Sequence, residues 1–365
     1  MPIENNFQHD ELSRKNPGDR LTHAEWTTPP DMESPAWQAA MSQTGQKLSQ
    51  AGVRLIMFLH GAIPGTDIFG LGRLDEVGGL KRGYSRGISG LDSLLSFMRE
   101  GSNGITPLPG GMKPPLSNDD ATKALLDSQI GDAGNFTASI VEQCRKALNQ
   151  QVTKPITCVR ELWSSEHHHL GRALAACRLL DRLRALVSEQ HLGAGDRILI
   201  QAHGQAGLVL ALASNLLCPS PITGRKAFFD LLLAATPQGP DAQVIQRIDP
   251  LLTAGSLLNG AALDIVTLGT PVRYGWDPSG IGKLLHIVNH RNLRTDGKTW
   301  LSKMELPQIS VEMPIAWGGD YVQELAVAGS DALPAESAKA ANKAVWELLE
   351  PYDGFERWVE CARRA

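Results

Sequence analysis

The six residues Ala202–Gly207 (AHGQAG) lie between a run with strand character and a run with helix character. Small residues at 202, 206 and 207 allow a strand to turn sharply into a helix, with position 204 at the tip. A serine at such a tip attacks carbonyl carbons in acyl transfer. This chain has Gly204 there, which removes the hydroxyl and also the backbone strain of a left-handed conformation. The pattern therefore predicts a corner built for nucleophilic chemistry that lacks its nucleophile.

Alternating apolar runs indicate the elements that must position this corner. Continuous or near-continuous apolar runs predict buried strands at 53–59, 156–163, 197–201, 263–268, 284–289 and 324–328. Apolar residues at helical spacing predict helices at 170–187, 208–217, 335–349 and about 354–363. Strands that alternate with helices are typical of an α/β protein, so we expect a mostly parallel central sheet with helices on both faces.

The distribution of polar residues divides the chain into an extension and one domain. Residues 1–50 are rich in Pro, Asn and Gln, and we expect a polar N-terminal extension that wraps the surface or is partly disordered. Residues 51–365 are then the domain, with 61–155 as an insertion after the first core strand. Glycine and proline clusters and two modest helical patterns, near 90–99 and 121–150, make this insertion a possible cap or lid. A proline-rich excursion precedes the strand at 263–268.

Four segments, in chain order, carry a resemblance to a known superfamily. They are VRLIMFL leading into His60-Gly61, Trp163-Ser164-Ser165-Glu166 before an arginine-bearing helix, the corner at 202–207, and Val266-Thr267-Leu268-Gly269-Thr270-Pro271. The ordered set resembles the α/β-hydrolase superfamily, in particular its lipase- and esterase-like bacterial members. The resemblance implies the α/β-hydrolase fold, with Gly204 at the vestigial nucleophile position and His203 beside it.

The resemblance also implies where an oxyanion would bind and where a triad would be completed. Backbone N–H groups of Gln205 and of a residue just after His60, Gly61 or Ala62, would form the oxyanion hole, and these do not need the missing side chain. The superfamily order is nucleophile, acid, histidine. Asp320 and Asp331 lie beside the last predicted strand, yet no histidine follows His290. The nucleophile and the base are thus both missing from their usual places.

The remaining histidines give weaker evidence for a metal site or a catalytic base. Three consecutive residues on a helix point about 100° apart, so His167, His168 and His169 cannot all face one metal ion. We expect Ser164 or Ser165 to cap the helix that follows. His286 and His290 would be parted by a strand and a loop; the alternative is a relocated base oriented by Asp277. The sequence predicts no metal site and no cofactor, and its glycine-rich pieces match no nucleotide-binding motif.

Two hypotheses about function remain open. The first is a catalytically degenerate hydrolase-like protein that binds a small ester, acyl or carboxylate ligand, or a protein partner. The second is an active carboxylic-ester hydrolase with a displaced nucleophile or an activated water. Its hydroxyl would come from Ser85, Ser89 or Thr270, and its base from His203, His286 or His290.

Composition narrows the partners and the compartment. A net charge of −4 and a pI near 6.2, with scattered basic residues, argue against nucleic acid. No run approaches ~18 apolar residues, so no transmembrane helix is expected. The N-terminus has no signal-peptide pattern, and the five widely spaced cysteines indicate free thiols. We therefore expect a cytoplasmic protein.

Overall fold

The fold is described from a computed structural model of the chain. The residues that it describes are 29–61, 135–163, 168–219, 223–270, 274–287 and 336–349, with single positions 127, 166 and 334. Predictions that fall elsewhere, including the strand at 324–328, the helix near 354–363 and most of the predicted insertion, lie outside the described residues.

One sheet of five parallel strands forms the centre of the molecule. Its strands are β1 (Val53–Leu59), β2 (Thr157–Glu161), β3 (Arg197–His203), β4 (Ala262–Leu268) and β5 (Lys283–Ile287), in the spatial order β2-β1-β3-β4-β5. Six of the seven residues of β1 are buried, as expected for a strand covered on both faces. The predicted α/β class and parallel sheet are confirmed.

Seven α-helices are described, and they cover both faces of the sheet. In chain order they are α1 (Pro35–Gln50), α2 (Ala138–Leu148), α3 (His169–Glu189), α4 (Ala206–Leu216), α5 (Thr223–Ala235), α6 (Pro240–Thr253) and α7 (Lys339–Leu349). Two short 3₁₀ turns, Pro278–Gly280 and Glu336–Ala338, complete the elements described. Every residue of α4 is buried, because this helix is apolar all round and lies between the sheet and its neighbours.

The two faces bury apolar clusters of different size. Alternate residues of β1 point to opposite faces, so Leu55, Met57 and Leu59 join the larger cluster with α3 and α4. Ile56 and Phe58 join the smaller cluster, which packs against Val141 and Leu148 of α2 and against Met41 and Leu48 of α1. The larger core thus lies on the face of the sheet that α3 and α4 cover.

Three helices differ from the sequence-based expectation. Helix α1 forms within the polar segment 1–50, because Ser34 caps its first turn by accepting from Trp37 N and Pro35 suits its first position. The excursion before β4 holds α5 and α6, each of which buries an apolar stripe, and α6 does so with Pro240 at its first position and Pro250 inside it. Among the described helices, none combines the length and the apolar character that crossing a bilayer requires.

The strand order places one special point at the carboxyl edge of the sheet. Strands β1 and β3 are neighbours, but the chain leaves β1 toward β2 on one side and continues from β3 toward β4 on the other. At such a reversal the loops after the two strands separate, and α/β proteins bind ligands in the crevice that this leaves. The residues after β1 are His60 and Gly61, and β3 ends at His203, directly before Gly204.

Candidate functional site at the carboxyl edge of the sheet

The ends of β1 and β3 approach each other closely through Gly61. A Cβ atom on Gly61 would lie 2.4 Å from the backbone oxygen of His203 and 2.7 Å from its Nδ1. Non-bonded atoms do not approach so closely, so a residue with a Cβ atom would clash with His203 and only glycine fits at this position. The structure therefore brings together two of the segments singled out in the sequence, His60-Gly61 and the corner at 202–207.

Gly204 forms the corner between β3 and α4 in a left-handed conformation. Its φ is +51°, a region that costs a non-glycine residue about 1–3 kcal/mol. Three hydrogen bonds fix its backbone. Its N–H donates to the carbonyl of Leu268 (2.9 Å), and its carbonyl accepts from Gly207 N (3.1 Å) and from the hydroxyl of Thr270 (3.1 Å). The corner is thus held by β4 and by its own helix, in the conformation that the sequence predicted.

Gly207 allows the first turn of α4 to pack against the residues after β4. A Cβ atom there would lie 2.0 Å from Thr270 Oγ1 and 2.3 Å from its Cγ2. Thr270 is buried, so this side chain has little room to move away. Because the Thr270 hydroxyl donates to Gly204, it positions the corner, and its proton is already engaged.

The amino end of α4 points toward the same edge. Gln205 precedes the helix with φ −60° and ψ −25°, and no side chain caps the helix there. The N–H groups of Gly207 and Leu208 donate to the carbonyls of Gly204 and Gln205, and the positive end of the helix dipole at this edge attracts negative charge. This polarity matches the oxyanion position that the sequence analysis assigned to the Gln205 N–H.

His60 and Trp163 connect the ends of β1 and β2. The indole Nε1 of Trp163 donates to the carbonyl of His60 (2.8 Å), and its backbone N–H approaches His60 Nε2 at 3.4 Å. Both residues are buried, at 1% and 6% exposure. The imidazole of His60 is therefore buried between the ends of β1 and β2.

Glu161 places a carboxyl group inside the apolar layer next to this region. It ends β2 opposite Leu59, and its side chain is 8% exposed. Burial raises its pKa to about 7, although Arg182, 3.7 Å away, acts in the opposite direction. Sequence reasoning missed this residue, although an acidic side chain that ends an apolar strand could have drawn attention to it.

The run of three histidines builds the start of α3. The cap is His168, whose Nδ1 accepts from Gly171 N at 2.9 Å, so the prediction that Ser164 or Ser165 caps this helix is wrong. His169 is fully buried; its ring stacks on Trp346 and its Nδ1 lies 2.8 Å from the hydroxyl of Tyr274. His168 and His169 thus have different structural roles, and His167 lies outside the described residues.

Arg172 extends this buried polar group by one turn of α3. It is fully buried, and its guanidinium donates to the Tyr274 hydroxyl at 3.1 Å. Tyr274 follows β4, so the contact joins α3 to the carboxyl edge of the sheet. The sequence alone offered no signal for this pairing, because the two residues lie 102 positions apart.

His286 and Thr267 form a hydroxyl–imidazole pair across β4 and β5. Thr267 Oγ1 lies 2.6 Å from His286 Nδ1, and the imidazole meets Trp276 edge-on at 5.1 Å. Asp277, suggested as the acid that would orient this histidine, accepts instead from Ser279 through both its N–H (2.9 Å) and its hydroxyl. The structure thus places His286 in a strand, as predicted, with a different partner.

Several candidate residues fall outside the part of the chain that the structure describes. They are Ala62 of the oxyanion position, the acids Asp320 and Asp331, His290, and the hydroxyl residues Ser85 and Ser89. Their roles stay predictions. Of the remaining candidates, His60, Gly61, His203, Gly204 and Gln205 lie together at the reversal between β1 and β3.

Comparison with known proteins adds no relative: no family model, no curated protein and no solved structure matches this chain. The class that the fold and the site define is therefore an α/β protein with a parallel sheet and a candidate site at its carboxyl edge.

Proposed function

We propose that this chain is an α/β-hydrolase-like protein that has lost its nucleophile and binds a small ester, acyl or carboxylate ligand at the carboxyl edge of its sheet. The observation that carries the proposal is the corner at Gly204. Its backbone has the left-handed conformation and the hydrogen bonds of a tight strand-to-helix turn, but position 204 has no side chain that can attack a carbonyl.

The groups around the corner favour an electron-rich ligand. The amino end of α4 carries the positive end of the helix dipole and lacks a side-chain cap. A carbonyl or carboxylate oxygen placed there would accept from backbone N–H groups, which are the donors that stabilise oxyanions in acyl transfer. Binding without turnover is what this arrangement supports.

Ligand binding is tested by titrating ¹⁵N-labelled protein with acetate, butyrate, octanoate and their methyl esters. We expect the backbone amides of Gly204, Gln205 and Ala206 to shift with saturation, and those of Gly193 and Gly195, at the opposite edge, to stay in place. If no compound shifts the amides of the corner, the proposed ligand class is wrong.

Loss of catalysis is tested with a fluorophosphonate probe and short-chain p-nitrophenyl esters. We expect neither labelling nor turnover by the wild-type protein. Gly204→Ser should not restore turnover, since no histidine lies at the usual place after the acid. Gly195→Ser is the matched control, because Gly195 has φ +93° and open space around its Cβ position, so it carries similar strain away from the site. Turnover by Gly204→Ser alone would show that a base is present.

Thr267 and His286 support the second candidate function, ester hydrolysis with a displaced nucleophile. A hydroxyl 2.6 Å from an imidazole nitrogen is the arrangement in which histidine activates a nucleophile. Thr267 is fully buried, whereas its partner His286 is exposed among the described residues, so a substrate would first meet the imidazole. If the wild-type protein hydrolyses esters, Thr267→Val and His286→Gln should each abolish the activity, and retention of activity in both would exclude this pair.

A further inference from the structure

Glu161 lies where the candidate site meets the main core. It is the last residue of β2 and pairs in register with Leu59, the residue before His60. A small cavity at this point is lined mainly by apolar side chains, among them Leu59, Trp163 and Val209, the last of which lies in the first turn of α4. The carboxyl group thus lies against apolar side chains, on the strand next to the residue that precedes His60.

Few charges can stabilise the ionised form of this carboxyl. Among the described residues, Arg182 Nε is the cation paired with it, at 3.7 Å; Arg182 is 37% exposed and also lies 3.6 Å from Glu189. Arg178 lines the same cavity, but two hydrogen bonds of 2.6 and 2.7 Å commit it to Asp241 of α6. Glu166 acts on Arg178 as well. From β1 and α4 the cavity receives the apolar side chains of Leu59 and Val209, and His60 follows Leu59.

These surroundings favour a neutral carboxyl at the acidic side of neutrality. Burial is the largest influence and raises the pKa of Glu161 to about 7, with Arg182 opposing it. The 3.7 Å between Glu161 and Arg182 Nε is longer than a hydrogen bond. Among the described cations Arg178 is already engaged, so the ionised carboxyl would gain stabilisation by closing the gap to Arg182.

Trp163 couples this carboxyl to the candidate site. It lies two residues after Glu161, lines the same cavity, and donates its indole N–H to the carbonyl of His60. A displacement of Glu161 within the cavity would therefore act on the residue that ties β2 to the end of β1.

We propose that Glu161 is a proton-sensitive switch: neutral, it stays 3.7 Å from Arg182 in the cavity that it shares with Trp163, and ionised, it closes this distance and shifts Trp163 relative to His60. The switch connects ambient pH to the geometry of the crevice between β1 and β3. It does not depend on which ligand binds there, or on whether one binds.

The test follows the indole ¹H–¹⁵N signal of Trp163 from pH 5 to 9 in the full-length protein, with the signal assigned by its loss in Trp163→Phe. We expect one transition with a midpoint near pH 7 in the wild type and a constant signal in Glu161→Gln, which imitates the neutral carboxyl. A signal that stays constant in the wild type overturns the proposal. So does an equal transition in Glu161→Gln, which would show that a group other than Glu161 titrates.

A second variant keeps the proposal testable if Glu161→Gln does not fold. Arg182→Gln removes the cation that favours the ionised carboxyl, so the midpoint should rise by about 0.5 pH unit, a small effect because Arg182 is partly exposed. Arg184→Gln is the control on the same helix, since Arg184 pairs with Asp181 instead. Equal midpoints in the wild type and in Arg182→Gln would contradict the proposed movement toward Arg182.

Discussion

The two edges of the sheet are built from different chemistry. At the amino edge, Arg197 binds Asp264 of β4 through two hydrogen bonds, and Arg54 lies 3.5 Å from Asp196. At the carboxyl edge, glycines let the backbone of one strand approach the next, as Gly61 does at His203. Glycines allow close contacts at both edges, since a Cβ atom on Gly52 would lie 2.7 Å from the carbonyl oxygen of Gly195. The edges differ in their polar groups: ion pairs join neighbouring strands at the first, and buried imidazoles lie at the second.

This difference indicates that the two edges have different roles. Ion pairs between neighbouring strands fix their register and tolerate water, so they suit an end that only has to hold together. Buried polar groups cost stability, and proteins keep such features mainly where a site needs them. The comparison therefore supports the proposal of a site at the carboxyl edge by an argument that does not use the resemblance to hydrolases.

Gly207→Ala should have the largest effect. Helix propensity alone would favour alanine by about 1 kcal/mol, but its Cβ would lie 2.0 Å from Thr270 Oγ1. We expect the clash to prevail and to lower the free energy of unfolding by about 3 kcal/mol, the upper part of the range for overpacked sites. Urea denaturation followed by circular dichroism measures the change.

Gly193→Ala is the matched control for this variant. Gly193 lies in the turn before β3, and its nearest neighbour to an added Cβ is 3.6 Å away, which is an ordinary contact. Its unfolding free energy should change by less than about 0.5 kcal/mol. If both variants were equally stable, the carboxyl edge would not be more tightly packed than the amino edge.

Glu161→Gln should change the pH dependence of stability at the carboxyl edge. The pKa of Glu161 in the folded protein, about 7, lies above the ordinary value of 4.5. The protonated carboxyl therefore stabilises the folded state fully below about pH 4.5, and this stabilisation is lost as the pH rises through 7. Urea denaturation at pH 5 and 8 should show that the variant gains roughly 2 kcal/mol on the wild type over this interval. A constant difference between the two proteins would contradict the assigned pKa.

Arg197→Met tests the amino edge. It leaves Asp264, which is 8% exposed, without its bidentate partner. We expect the unfolding free energy to fall by about 1.5 kcal/mol, measured by chemical denaturation. Lys226→Met is the control, because Lys226 and Asp230 form an exposed i,i+4 pair on α5 and should contribute less than about 0.5 kcal/mol. If Arg197→Met also abolished the ligand-induced shifts of Gly204, the amino edge would contribute to ligand binding, and the proposed separation of roles between the two edges would be wrong.

The elements around the corner could be predicted from the sequence because their signals are local. Runs such as VRLIMFL and RILIQ are apolar enough to identify buried strands, and AHGQAG marks the turn after the second of them. The left-handed conformation of Gly204 followed from its residue type and its place between strand and helix. These features depend on neighbours in sequence, which periodicity and turn chemistry capture.

Contacts between distant segments could not be predicted in the same way. No residue near Thr267 in the sequence indicates that His286 lies opposite it, because their contact depends on the register of β4 against β5. Likewise α5 and α6 were missed. Pro219 and Pro221 precede α5, and Pro240 and Pro250 lie within α6, so the prolines concealed apolar stripes that become visible in the packing of the core. Composition also concealed α1, whose few buried residues are mainly small and polar.

The cap of α3 is an intermediate case, and it leads to the smallest of the expected effects. Serine is a common cap, but the helix begins at His169, so the residue in the cap position is His168, whose Nδ1 accepts from Gly171 N. His168→Ala should lower the unfolding free energy by about 1 kcal/mol. His168→Asn, which keeps an acceptor at the cap, should recover most of that loss in urea denaturation. If the asparagine variant were as unstable as the alanine variant, His168 would support this edge through its buried ring, and the cap would contribute little.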